Sequence, residues 1–142
     1  MLDLRGQPVP DLERRLRAMS ALIAHRGPDG EGVWMHPRGH VGFSHRRLSI
    51  IDLDRGAQPM GDGAGNWVTY NGEIYNFVEL REELGTHRFR TRSDTEVILH
   101  GFRKSGAGCL DSLRGMFAFG LWDDAGQALL CARDRFGIKP LY

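Results

Sequence analysis

The spacing of apolar residues changes repeatedly along the chain, and each change marks a different element. Leu12, Leu16, Met19, Leu22 and Ile23 recur at three- and four-residue intervals, with Arg14, Arg15 and Arg17 off that stripe. The pattern predicts an amphipathic helix, opened by Pro10 and Asp11 and packed on a sheet. His25-Arg26-Gly27-Pro28-Asp29-Gly30 ends it with turn chemistry. Residues 32–35 and 40–44 then read as the arms of a hairpin closed by Pro37-Arg38-Gly39. His45-Arg46-Arg47 carries the second arm on into the run Leu48-Ser49-Ile50-Ile51. A loop through Gly56-Ala57-Gln58-Pro59 and a tight connection over 62–66 lead into the short strand Trp67-Val68-Thr69-Tyr70, which ends in Asn71-Gly72.

Beyond that strand the period becomes helical. Asn76 with Glu79, and Ser93 with Glu96, have capping-box spacing. They predict helices over 77–84 and from 93 to about 103, with a shorter helix at 110–113. Runs at 116–122 and 128–132 flank Asp123-Asp124-Ala125-Gly126, a hairpin signal. Residues 1–4 read as the tail of a strand, and 133–142 open a further segment. The expectation is a mixed fold of three helices and largely antiparallel sheet.

Composition narrows the function classes without naming one. With 142 residues there is room for one domain with a real core. A net charge of +1 gives no electrostatic footprint for nucleic acid or an anionic membrane. The apolar runs are far too short for a bilayer span, and the start shows no secretory pattern. Two cysteines make neither a disulfide framework nor a metal motif, so a cytoplasmic protein is expected. The six histidines show no zinc spacing.

Polar residues at turns and strand ends hold the candidate chemistry. Asn71 and Gly72 set a side-chain amide beside an unobstructed backbone N–H, a pair suited to stabilising an oxyanion. Asn-Gly is equally the favoured two-residue hairpin turn. Arg47 could grip a carboxylate through its planar fork, or lie on the surface of an edge strand. Asp94 could pair with an ammonium group, or serve as an acid in the first turn of a helix. Glu73 could join it or be solvated. Cys109 and Cys131 read as buried structural thiols with no partner base in sequence.

Seven segments in order carry a resemblance: His25-Arg26-Gly27-Pro28-Asp29, Arg47-Leu48-Ser49-Ile50-Ile51-Asp52, Gly56-Ala57-Gln58-Pro59, Asn71-Gly72-Glu73-Ile74-Tyr75-Asn76, Ser93-Asp94-Thr95-Glu96, Gly115-Met116-Phe117-Ala118-Phe119, and Arg133-Asp134-Arg135-Phe136-Gly137-Ile138-Lys139-Pro140-Leu141-Tyr142. Together they resemble the class II glutamine amidotransferase (glutaminase) domain of glutamine-hydrolysing asparagine synthetases, over essentially the whole of residues 1–142.

The resemblance implies an α+β fold of the N-terminal nucleophile hydrolase type, an αββα sandwich of two mostly antiparallel sheets. It implies a cysteine at the mature N-terminus that attacks the side-chain amide of L-glutamine, with its own α-amino group as base. It also implies an oxyanion hole from Asn71 and Gly72. Glutamine would be held by Arg47 at its α-carboxylate, by the wall Leu48, Ser49, Ile50 and Ile51, and by Glu73 and Asp94 at its α-amino group. No metal or cofactor is implied for these residues; ATP and Mg²⁺ belong to an ATP-pyrophosphatase synthetase domain, the expected partner, in a full-length protein that can form a homodimer. The family's opening Cys-Gly-Ile-Ala-Gly-like strand is not matched here, where the chain reads Met1-Leu2-Asp3-Leu4. The expectation is therefore a domain incomplete at both ends and impaired in hydrolysis as written. The alternative is a non-catalytic scaffold or amino-acid-binding domain, like the β-lactam synthetase relatives that lack the cysteine.

Overall fold

The computed structural model describes residues 1–48 and 56–142. The chain forms two compact units. The first holds the described residues up to Leu48 with Ala57–Pro59, and the second holds Gly56 with Met60–Tyr142. The fold is α+β, and both of its sheets are antiparallel.

In the first unit, helix α1 (Leu12–Leu22) lies on the hairpin of β1 (Gly30–Met35) and β2 (Gly42–Arg47). Register runs from Gly30 opposite Arg47 to Met35 opposite Gly42. The predicted five-residue apolar stripe splits. Leu12, Leu16 and Ser20 are buried, whereas Met19, Leu22 and Ile23 stay about half exposed or more. The reason lies in β2: a Cβ at Gly42 would stand 2.7 Å from Leu16, so the helix seats its i, i+4 row on a glycine. One turn on, Arg46 reaches in and gives its Nε–H to the Ser20 hydroxyl at 2.9 Å, so a polar residue completes the buried row. The Arg46 guanidinium also pairs with Glu31 at 3.3 Å. Asp11 adopts a left-handed conformation and pairs with Arg14 instead of capping the helix.

Residues 1–3 form a short ladder on β2. The Met1 ammonium donates to the Gly42 carbonyl at 2.7 Å, Gly42 N–H returns a bond to the Met1 carbonyl, and Leu2 bridges Val41. The expected strand tail is thus one isolated bridge with flanking hydrogen bonds.

In the second unit the sheet order is β3 (Met60–Gly61), β4 (Trp67–Ile74), β5 (Gly115–Asp123) and β6 (Ala128–Arg133). Period-two alternation turns Val68, Tyr70 and Ile74 of β4, and Phe117, Phe119 and Leu121 of β5, onto one face. Helices α2 (Phe77–Leu84) and α3 (Thr95–Ser105) supply Leu80, Val97, Ile98 and Leu99 to the same core. Both helices start close to where capping-box spacing places them, but neither is capped that way. Asn76 spends its amide on strand-end backbone, accepting from Arg114 N–H and donating to the Ser112 carbonyl, both at 3.0 Å. Glu96 turns away from Ser93 and gathers the preceding loop, accepting from Arg90 N–H, Thr91 N–H and the Thr91 hydroxyl. In both cases the spacing marks the helix start while partners outside the cap, across the sheet for Asn76 and in the preceding loop for Glu96, outcompete the local cap.

Candidate functional site

The most consequential departure from the sequence reading is at Asn71-Gly72. They form no turn: β4 runs through them to Ile74, with Asn71 opposite Ala118, Gly72 opposite Phe117 and Glu73 opposite Met116. The glycine is required by approach. A Cβ at Gly72 would strike the Met116 carbonyl oxygen and lie 2.6 Å from the Phe117 Cα.

Phe117 fixes which way Gly72 points. Its N–H goes to the Asp134 carboxylate at 3.1 Å, and its carbonyl accepts from Asp134 N–H at 2.7 Å. Both polar groups of Phe117 therefore face away from β4. Gly72 sits across a narrow, non-hydrogen-bonded pair, with its own N–H directed to the outer edge of β4. Among the described residues, strand pairing along that edge is limited to β3 at Trp67 and Val68. Ile74, two residues on and on the same edge, gives its N–H to Asp94 Oδ2 at 3.0 Å. Tyr70, two residues back, donates its hydroxyl to the same oxygen at 2.6 Å. Asp94 thus spans the Asn71–Glu73 stretch from both sides. Its side chain is buried, and among the described residues no hydrogen bond reaches Oδ1. The exposed Asn71 and half-buried Glu73 share the strand face opposite Tyr70 and Ile74.

These four residues can present an amide N–H, an outward backbone N–H and two carboxylates around one strand edge. That set suits a substrate carrying a polarisable carbonyl and a cation. Asp94 serves as an acid at the helix start in position only, since its carboxylate caps no α3 N–H.

Arg47 belongs to the first unit, at the end of β2, and is partly buried. The turn His25-Arg26-Gly27-Pro28-Asp29 closes over it: Asp29 N–H donates to the Arg47 carbonyl, and a Cβ at Gly27 would meet the Arg46–Arg47 peptide at 2.5 Å. That close approach explains the glycine in the segment. His45 shares a strand face with Arg47; burial, aided by the Arg47 charge, pulls its pKa down to about 4 and keeps it neutral. Leu48 is exposed. Ser49, Ile50 and Ile51, expected to line the glutamine site, lie outside the described residues.

One of the two thiols departs from expectation. Cys109 is buried in the 3₁₀ turn Gly106–Ser112, and burial pushes its pKa up, as for an inert thiol. Cys131 is exposed, which corrects the buried reading: β6 is the edge strand of its sheet. Sequence reasoning missed Tyr70 and Asp134. Tyr70 read only as an apolar strand residue. Asp134 gathers the N–H groups of Phe136, Ile138, Lys139 and Phe117. The dense Asp-x-x-Gly turn chemistry after Arg133 was the one available signal for it.

A profile described as "Glutamine amidotransferase domain" matches residues 4–142. The chain belongs to this glutamine amidotransferase family. Curated relatives include "Asparagine synthetase [glutamine-hydrolyzing] 1" of Bacillus subtilis (strain 168), 49% identical over 93% of this chain and 21% of its own length. "Asparagine synthetase [glutamine-hydrolyzing] 3" of the same organism is 40% identical over 99% of this chain and 23% of its own length. "Amidase chry2" of Gibberella zeae is 44% identical over 96% of this chain and 20% of its own length. The amidotransferase chain spans about a fifth of the length of these relatives. Among the described residues, no helix is long and apolar enough to cross a membrane.

Proposed function

We propose that this chain is the glutaminase part of a glutamine-dependent asparagine synthetase, binding L-glutamine and releasing ammonia from its side-chain amide. The observation that carries the reading is the outward Gly72 N–H on the β4 edge where Asp94 is anchored. In this reading Asn71 and Gly72 stabilise the oxyanion formed when a cysteine thiolate attacks the amide carbon. The α-amino group of that cysteine takes the thiol proton and passes it to the leaving ammonia. Water then cleaves the glutamyl thioester to glutamate. Asp94 and Glu73 neutralise the glutamine ammonium. Arg47 takes its α-carboxylate, with Leu48, Ser49, Ile50 and Ile51 as the adjoining wall. The ammonia acceptor is aspartate, activated by ATP and Mg²⁺ in a partner synthetase domain, and the full-length protein works as a cytoplasmic homodimer. Among the described residues no cluster of three metal-ligating side chains occurs.

The ladder of residues 1–3 supports the place of the nucleophile. Met1 lies opposite Gly42, so each residue added ahead of it in the same register advances one position along β2. The fifth would face Arg47, and a Cys-Gly-Ile-Ala-Gly extension has that length. Such an extended chain, with cysteine as its first residue, should release glutamate and ammonia from glutamine. The same extension with alanine at that position should not. Equal rates from the two would overturn the assignment, and tight glutamine binding without turnover in both would favour an amino-acid-binding domain.

A further inference from the structure

A carboxylate that binds a substrate ammonium must be held so that one oxygen faces the ligand and cannot turn away. Asp94 is held in that way. Its Oδ2 takes two donors, the Tyr70 hydroxyl at 2.6 Å and the Ile74 N–H at 3.0 Å, and both Tyr70 and Asp94 are buried. Two donors on one oxygen fix the carboxylate plane and occupy the lone pairs on that side. Its charge is then offered through Oδ1, to which no described residue donates.

We infer that Tyr70 is a positioning residue for the ammonium subsite proposed at Asp94, holding Oδ2 so that Oδ1 is turned to the ligand. The inference rests on the role proposed above for Asp94 and adds Tyr70 to it. The proton stays on the phenol: burial, then the nearby Asp94 charge, push the Tyr70 pKa well above its ordinary value, so the phenol is the donor in its bond to Asp94. A buried carboxylate with one open oxygen favours a cationic partner over a neutral one, because an unpaired buried charge is costly. An amide lacking the ammonium, or an N-acylated glutamine, leaves that charge uncompensated. The Tyr70 ring itself is part of the core around Ile74 and Phe119, so removing only its hydroxyl keeps the packing.

The test compares L-glutamine with glutaramate, the same molecule without its α-amino group, by isothermal titration of the full chain. The native chain should bind glutamine more tightly, and Asp94→Asn should abolish the difference. Tyr70→Phe should weaken glutamine about tenfold and leave glutaramate unchanged, as expected for loss of a hydrogen bond to a charged group. Equal weakening of both ligands, or of neither, would overturn the positioning role while leaving Asp94 in place. Discrimination that survives Asp94→Asn would instead remove Asp94 from the site, and the inference with it.

Discussion

Gly72→Ala tests the geometry of β4 most directly. The new methyl group would contact the Met116 carbonyl oxygen and lie 2.6 Å from Phe117 Cα and 2.9 Å from Phe117 Cβ. These are backbone atoms and the root of a core side chain, not the tip of a flexible one. Relief therefore requires β4 and β5 to separate. Their flanking residues Tyr70, Ile74, Phe117 and Phe119 are buried in one cluster, so the separation disturbs core packing on both sides. Overpacking of this kind costs about 1–3 kcal/mol, and a backbone clash belongs at the upper end. Restricting the unfolded chain by removing a glycine returns about 0.4–1 kcal/mol. The net expectation is a loss of about 2 kcal/mol, or a urea midpoint lower by about 1 M, followed by far-ultraviolet circular dichroism. Gly30→Ala is the control: among the described residues its Cβ would meet only Arg47 Cβ, at an ordinary 3.6 Å, and stability should stay within about 0.5 kcal/mol of the parent. An unchanged midpoint for Gly72→Ala would refute the narrow pairing with Phe117, and with it the outward direction of the Gly72 N–H.

Other expectations follow from side chains whose partners are known. In the chain extended with an N-terminal cysteine, Asn71→Ala should lower kcat for glutamine hydrolysis by about 10²–10³-fold, the effect of one lost oxyanion donor; an unchanged kcat removes Asn71 from that role. Arg46→Ala should lower stability by about 2 kcal/mol, because it strands Ser20 and Glu31 together, and thermal unfolding would show it. Acid should act in two stages. His45 binds its proton at about 4 when folded and near 6.5 when unfolded, so its contribution is full above pH 6.5 and fades as pH falls toward 4. Asp134 acts lower: burial alone would raise its pKa, but four backbone N–H groups hold it down to about 2, so its contribution disappears between about pH 4 and 2. Replacing His45 with Gln should remove only the first stage in a pH series of urea midpoints. Finally, a thiol reagent should modify Cys131 rapidly and Cys109 only on unfolding; simultaneous reaction would contradict the burial of Cys109.

Local periodicity carried most of the architecture. The 77–84 helix, the hairpin arms around residues 37–39 and the strands flanking 123–126 follow from apolar spacing and turn residues, which act over a few positions. What spacing could not show was where a polar side chain finds its partner. Asn76 and Glu96 stand where a capping box puts them, yet bind backbone at Ser112, Arg114, Arg90 and Thr91. Likewise the exposed half of the α1 stripe reflects the single row that fits over Gly42 and Arg46, which is a property of β2. Cys131 read as buried because its run is apolar, but its strand lies at the sheet edge.

The same distinction governs the site. Asn71, Gly72, Glu73 and Asp94 could be singled out by type, and the order of seven segments gave them roles, but their chemistry depends on pairing at a distance. Asn-Gly within eight residues of sequence favours a turn; it becomes a strand interior because Phe117 lies opposite. Phe117 in turn spends both backbone groups on Asp134, sixteen positions beyond its neighbour Ala118, and this leaves Gly72 facing outward. Among the described residues β3 pairs along that edge only as far as Val68, and Asp94 arrives beyond it from the start of α3. The outward direction of the Gly72 N–H, on which its proposed oxyanion role depends, is therefore a consequence of how β5 is satisfied from its other side. Asp134→Ala supplies the corresponding test: with Phe117 N–H released, the pairing opposite Gly72 loosens, and glutamine hydrolysis by the cysteine-extended chain should fall although Asp134 touches no substrate. Full activity in a stably folded Asp134→Ala chain would show that Gly72 is aligned by something other than this strand register.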